Sequence, residues 1–495
     1  MSTAHCCERC GSSASSLRTL VWFRGKDLRI ADHAPLRSAL DAAKDGNGDV
    51  IPVFVLDDHF FAPAEARRIP FRMQFLLESL ASLAANIEHL GSKLVLVTGR
   101  SIDRIPELAA KWKVDRVVAQ SWVAPIGRTR DRAVARALKP RGIPLELFDT
   151  ETLCAPGSLR TGSGDPYSVF TAFARAFARD VKVESPLAAP RSLPPLPADV
   201  KPGKTALPTL GSLGIEHNPH VQPGGERNAR TRLTTWLRKD AKDYDELRNL
   251  MAVDGTSRLS ADLKFGTLSV RTVWQAVDRA LRELSPDALR VYQNELVWRE
   301  FAHSTLFDRP RLLKQPFRSN WLRFPWRNDE KDWQAWVDGR TGYPVVDASA
   351  RQLLATGFVH NRARMISASF LAKHLLIDFR RGEQHYFDLL TDGDWANNDA
   401  GWQWSAGCGC DAQPWFRIFN PVTQGERFDA EGEYVRRWVP ELARMPAKHI
   451  HAPWLAPAAV LKEAGVRLGH DYPKPIVDHA KARQRFLDTA KKHLG

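Results

Sequence analysis

Cysteine is scarce, with six residues in a chain of 495. That is too few for a disulfide scaffold and points to a reducing compartment, so a cytoplasmic protein is expected. Long apolar runs are missing too: none approaches the roughly 18 residues a membrane span needs. The start, Met1 to Ser16, is polar, has no hydrophobic signal core and reads as a flexible tail. Cys6, Cys7 and Cys10 lie in it with no second Cys/His pair at zinc spacing, so no metal is assigned. No G-x-G-x-x-G follows a strand-like run, which leaves a dinucleotide dehydrogenase without support.

What is present is ordinary globular composition, 43% hydrophobic and 26% charged, with 71 Lys and Arg against 57 Asp and Glu. The resulting net charge of +14 favours a polyanionic partner. At roughly 100–200 residues per domain, the length implies two or three domains.

Between Leu20 and Asp149, five short apolar runs alternate with helical stretches: Leu20–Phe23, Val50–Leu56, Leu94–Val97, Arg116–Gln120 and Leu145–Phe148. Leu76, Leu80, Leu83, Ile87 and Leu90 recur at helical spacing, and Gly91 supplies a stop. This alternation predicts a doubly wound parallel sheet over residues 17–150. Nine of the 32 prolines then fall between Pro186 and Pro223, marking a connector within 151–230. From 231 to 495 the pattern is helical, and nine of the 16 tryptophans crowd between Trp298 and Trp415. The fold class expected is thus an N-terminal α/β domain joined by a long connector to an all-α domain.

Three stretches of the helical part carry polar and aromatic residues together. In VYQNELVWREF, Glu295, Trp298 and Arg299 share a helix face. In GFVHNRARMISASFL, Asn361, Arg364 and Met365 do the same, and TDGDWANNDAGWQW sets Asp392, Asp394 and Asn398 ahead of two tryptophans. One such stretch alone is an amphipathic helix. Three together describe a pocket with stacking faces, amides and an Arg–carboxylate pair, suited to a flat polar aromatic ligand. The turn DGTSRLS adds hydroxyls and free backbone N–H groups of the kind that hold phosphate.

The strings LVWFRGKDLRIADH, GTSRLS, NELVWREF, GYPVVDASARQL, HNRARMI, DGDWANN, GWQW and FRIFNPVTQGERFD resemble the DNA photolyase/cryptochrome family from Leu17 to about Leu487. Within it, the bacterial class I photolyases of cyclobutane pyrimidine dimers are the most similar. The resemblance implies FAD in the helical domain and an excited, reduced flavin that passes an electron to the dimer. Tyr244 and Thr256, Ser257, Arg258, Leu259 and Ser260 then match positions that grip the FAD phosphates, with Tyr292 an aromatic neighbour. Arg364 and Asp392 match an ion pair against the flavin, Asp394 a further flavin-contacting carboxylate, and Asn398 the amide facing its redox-active nitrogen. Trp298 and Trp404 match two indoles that sandwich damaged bases. Glu295 matches a donor to a pyrimidine carbonyl, and Asn361, Arg362 and Met365 a pocket rim. Arg248, Arg299 and Gln424 match DNA-contacting positions. Damaged DNA is the implied partner, with no protein partner required and a monomer expected.

Two departures stand out. Of the three tryptophans that usually carry electrons to the flavin, Trp402 and Trp326 match the first and last, but the middle position is Phe379, which is much harder to oxidise. Photoreduction is therefore expected to be slow or to detour through another aromatic residue. Folate-binding relatives carry an Asn-Glu pair where this chain has Ile126 and Gly127. A second antenna chromophore, deazaflavin or folate, stays open, as does an empty antenna site. Cys408 and Cys410 read as packing. A cryptochrome-type blue-light sensor would share the FAD residues and is the main alternative. A six-four photolyase needs a histidine where Met365 stands. A plain nucleic-acid-binding protein would account for the charge but not for the pocket.

Overall fold

The computed structural model describes residues 17–46, 48–283 and 286–494. The cysteine-bearing start, read as a tail, lies outside them.

All five apolar runs are strands: β1 Arg18–Phe23, β2 Asp49–Leu56, β3 Val95–Thr98, β4 Arg116–Gln120 and β5 Leu145–Phe148. They form one parallel sheet in the order β3-β2-β1-β4-β5. Strand period fixes the two faces. Val21 and Phe23 of β1 enter one core with Phe54 of β2, while Leu20 and Trp22 enter the opposite core with Ile51 and Val53. The helix marked by the Leu76 to Leu90 spacing, α1, spans Pro70–His89 and packs on the first of these faces. Its chain turns off at Gly91, whose φ of +98° only glycine adopts without strain.

The expected connector is not all irregular. It contains α2, Phe170–Asp180, whose Phe170, Phe173 and Phe177 belong to a core of the helical part. The proline-rich stretch beyond it clings to the sheet domain. Leu193 donates its N–H to the Leu90 carbonyl at 2.7 Å, and Leu193, Leu213 and Ile215 are buried against the α1 face.

The remainder is helical: α3 Glu226–Lys239, α4 Pro286–Asp308, α5 Glu330–Val337, α6 Pro344–Thr356, α7 Asn361–Ser369, α8 Phe379–Leu389, α9 Trp395–Ala406 and α10 Pro421–Phe428. Among the described residues, no helix is long and apolar enough to cross a membrane.

The carboxyl ends of β1 and β4, where strand order reverses, form the joint with the helical part. Lys26, just past β1, is buried between the carboxylates of Glu151 and Asp394, the second at 2.9 Å, and His303 lies 3.5 Å and 3.7 Å from the two. Burial works against the Lys26 ammonium, but Asp394 and Glu151 outweigh it and raise its pKa. A ligand cluster of Glu151, His303 and Asp394 is geometrically compact, and its two carboxylates are the ones that hold the Lys26 ammonium.

Candidate functional site

The hydroxyl-rich turn is held from behind by three aromatic rings. Trp236 lies 4.3 Å from Tyr292, and Tyr244 meets both edge-on at 5.7 Å and 5.1 Å. The Trp236 indole N–H donates to the Gly255 carbonyl at 3.3 Å, and the Tyr292 hydroxyl lies 3.0 Å from the Ser257 hydroxyl. Burial pushes the Tyr292 phenol up to about 12, so at neutral pH it is an intact hydrogen-bonding hydroxyl. A Cβ at Gly255 would collide with the Leu247 side chain, so the turn can lie this close only with glycine. Leu259 is buried in the core behind the turn, which leaves only its backbone to face a ligand.

Beyond the turn opens a cleft lined by Gln222, Arg258, Ser260, Phe358, Thr391 and Asp392, among others. Arg258 adopts a left-handed φ of 55° and lays its guanidinium 3.6 Å over the Phe358 ring. Arg364 lies 5.7 Å from the same Phe358 ring, donating to the Val359 carbonyl at 2.7 Å and pairing with Asp392 at 2.9 Å. Asn398 on α9 donates its amide to the Glu383 carbonyl at 3.0 Å, which fixes its orientation.

A second group of expected residues gathers at a rim. Arg248 pairs with Glu295 of α4 at 2.7 Å. Arg362 donates to the Asn249 side chain at 2.5 Å and lies 4.3 Å over the Phe428 ring at the end of α10. Asn361 and Arg362 both approach the Met365 sulfur, at 3.8 Å and 3.9 Å. Trp298 is stacked face to face on Phe170 of α2, 3.6 Å apart and 5° from parallel. Trp404 and Gln424 are half-buried on α9 and α10.

Two residues of the expected set lie at the joint. The Asp394 side chain accepts from the Ala396 and Asn397 N–H groups, capping α9, and pairs with Lys26, so its carboxylate lies at the joint. Burial would raise its pKa, yet Lys26 and His303 hold it well below the usual carboxylate range. Arg299 faces the joint as well: it donates to the Glu151 carbonyl at 2.9 Å and to Glu300 at 3.1 Å.

One residue of the HNRARMI string escaped notice. His360 caps α7 by accepting from the Arg362 N–H, and its buried Nε2 has no partner among the described residues. Burial, reinforced by Arg362, Arg364, Arg258 and Arg248, pushes it down to about 4, so it stands as a neutral imidazole between the cleft and the rim. An N-cap position one residue before the helix was the available signal.

Residues 19–195 match the family model described as DNA photolyase, and residues 292–492 match the FAD binding domain of DNA photolyase. A deoxyribodipyrimidine photo-lyase of Agrobacterium fabrum is 41% identical over 95% of this chain and 98% of its own. The chain belongs to the DNA photolyase/cryptochrome family. A bacterial class III photolyase from Agrobacterium tumefaciens superposes with a TM-score of 0.90 at 40% identity, covering 98% of this chain and 99% of that one. A Synechocystis cryptochrome follows at 0.87 and 33%, covering 95% and 99%. The cofactor of this photolyase-family chain is FAD. Its cleft has the chemistry that FAD calls for: a hydroxyl turn with the Arg258 guanidinium for phosphates, and the Arg364–Asp392 pair for a polar ring edge.

Proposed function

We propose that this protein is a light-driven carbon–carbon lyase that splits cyclobutane pyrimidine dimers in DNA. The observation that carries the reading is the rim: a carboxylate, Glu295, held by Arg248 and set on the same helix as a Trp298 indole already locked against Phe170. An indole fixed on one face loses no freedom when a base stacks on it, and such stacking is worth about 1–3 kcal/mol per base. A damaged pair is the easier one to turn out of the duplex, because its stacking is already spoiled.

The division of labour follows the chain. Residues 17–150 form the antenna-type α/β domain, 151–230 connect, and 231–495 hold the catalytic pocket. Tyr244, Thr256, Ser257, Arg258, Ser260, Tyr292, Arg364 and Asp392 hold the cofactor. FAD, when bound and reduced, supplies the electron on excitation by light. Asn398 can donate or accept at the flavin edge as its protonation changes. Glu295 hydrogen-bonds a pyrimidine carbonyl through its protonated carboxyl and so steadies the negative charge that arrives there, with Asn361, Arg362 and Met365 closing the pocket. Trp404 offers the second plate. Arg248, Arg362 and Gln424 position DNA through contacts that read no sequence.

Blue light on FAD-loaded protein with a dimer-containing oligonucleotide should restore thymine absorbance. Protein that binds FAD and responds to light but leaves dimers intact would instead be a sensor, the reading favoured by its likeness to the Synechocystis cryptochrome. The Met365 position argues against six-four repair, since no histidine stands there to act as an acid.

A further inference from the structure

Phe379 breaks the expected electron path twice over. It is a poor electron donor, and its ring meets the Trp326 ring edge-on at 6.3 Å without, among the described residues, any ring contact to Trp402. Trp402 touches other rings. It meets Trp336 edge-on at 6.1 Å, and Trp336 is stacked on Trp333 at 5.5 Å and 27°. Tyr386 backs the first step, 5.2 Å from Trp402 and 5.8 Å from Trp336. Trp402 and Trp336 are buried while Trp333 is half-exposed, so the row runs from the interior of the helical domain to solvent. The backbone makes room for it: a Cβ at Gly382 would collide with the Trp402 ring.

The surroundings suit a passing positive charge. The Trp336 indole N–H donates to the Ser367 carbonyl at 3.3 Å, and that acceptor eases removal of an electron from the ring. His385 lies 5.6 Å from Trp336 and 5.9 Å from Trp333. Burial keeps this imidazole neutral at physiological pH. The guanidinium over Trp333, Arg381 at 4.3 Å, opposes a positive ring, but it is paired with Glu330 at 2.9 Å.

We propose that Trp402, Trp336 and Trp333 form the electron path to the flavin in this chain, replacing the route that Phe379 interrupts. The inference rests on the FAD reading above. Trp402 gives one electron to light-excited FAD, Trp336 refills Trp402, and Trp333 refills Trp336. The oxidised Trp333 ring releases its indole proton to water, and a thiol in solution returns an electron and a proton. Two rounds reduce the flavin by two electrons and join two thiols as a disulfide.

The test compares FAD-loaded parent protein with Trp333→Phe, Trp336→Phe and Trp326→Phe. The rate of flavin bleaching with excess thiol and the indole radical seen by electron paramagnetic resonance after a flash are both recorded. Trp333→Phe, at a half-exposed site that tolerates the smaller ring, should slow bleaching about tenfold, a change of about 1.4 kcal/mol in barrier, and abolish the long-lived radical. Trp336→Phe should do the same, and Trp326→Phe should change neither. Loss on Trp326→Phe with retention in Trp333→Phe overturns the path. So does a parent protein that binds FAD but shows no radical, whereas a parent that binds no FAD overturns the reading beneath it. Phe379→Trp, by restoring an oxidisable middle ring, should speed bleaching further; if it also rescues Trp333→Phe, the second branch has been rebuilt, and if the radical then moves to Trp326 the two routes are alternatives.

Discussion

Two sets of ion pairs lie along α4, one at Glu295 and one at His303, and do opposite jobs. At the joint, Lys26, Glu151 and Asp394 are each no more than 6% exposed, and every charge has a partner. At the rim, Arg248 and Glu295 are 21% and 35% exposed, open to water and to exchange. A buried charge stripped of its partner is costly, whereas a pair in water is worth little. The joint can therefore fix two parts of the molecule together, while the rim can release its own partners to a polyanion and a nucleobase at small cost. Rigidity and binding are built from the same residue types, separated only by access of solvent.

Breaking the joint is the harshest test. Lys26→Met leaves Glu151 and Asp394 facing each other and should cost about 3–5 kcal/mol in denaturant unfolding. Asp394→Asn keeps an acceptor for the α9 cap and one carboxylate for Lys26, so the loss should be smaller, about 1–3 kcal/mol. Acid titration separates the two regions. Burial raises the Glu151 carboxyl, but Lys26 and His303 outweigh it and bring the group from 4.5 down to about 2. A carboxylate depressed on folding stabilises above its unfolded pKa, so the Glu151 share should vanish as pH falls from about 4.5 to 2. His360 at the cleft is depressed from 6.5 to about 4, and the unfolded chain takes its proton first, so its share should be lost earlier, between those two values. Circular dichroism melts across pH 7 to 2 should show two separate steps, and His360→Asn should shrink the upper one, which the buried His374 and His385 share. The mildest change is Glu295→Gln, expected to alter stability by less than about 1 kcal/mol while lowering the yield of dimer splitting per absorbed photon. A stability loss as large as that of Lys26→Met would erase the distinction between rim and joint.

Much of the fold was legible because it depends on local chemistry. The strands of the sheet are β-branched runs bounded by polar residues, and Gly91 marks the end of α1 where its φ demands glycine. The turn at Thr256 to Ser260 was legible for the same reason. What was hidden depends on contacts distant in sequence. Asp394 and Lys26 are 368 residues apart, and nothing near Asp394 says that its carboxylate caps a helix and crosses to the other domain. Arg299 follows Trp298 directly, and one step along a helix turns a side chain by about 100°, enough to send one to the rim and the next to the joint. The row of rings beside Trp402 was invisible because nothing in the spacing of Trp333 and Trp336 tells a stacked pair from core filling, which Trp336 also is. The α2 helix went unseen although Phe170, Phe173 and Phe177 keep helical spacing, because the prolines that follow dominate the composition.

That helix has a practical corollary. The wall behind Trp298 is Phe170, on α2, while Trp298 itself lies past the proline-rich stretch on α4. Cutting the chain between Pro186 and Pro223 would send the indole and its backing ring into separate fragments. Mixing the halves would rebuild that stacked pair, making this polypeptide a natural candidate for a two-piece reporter whose light response returns only on reunion.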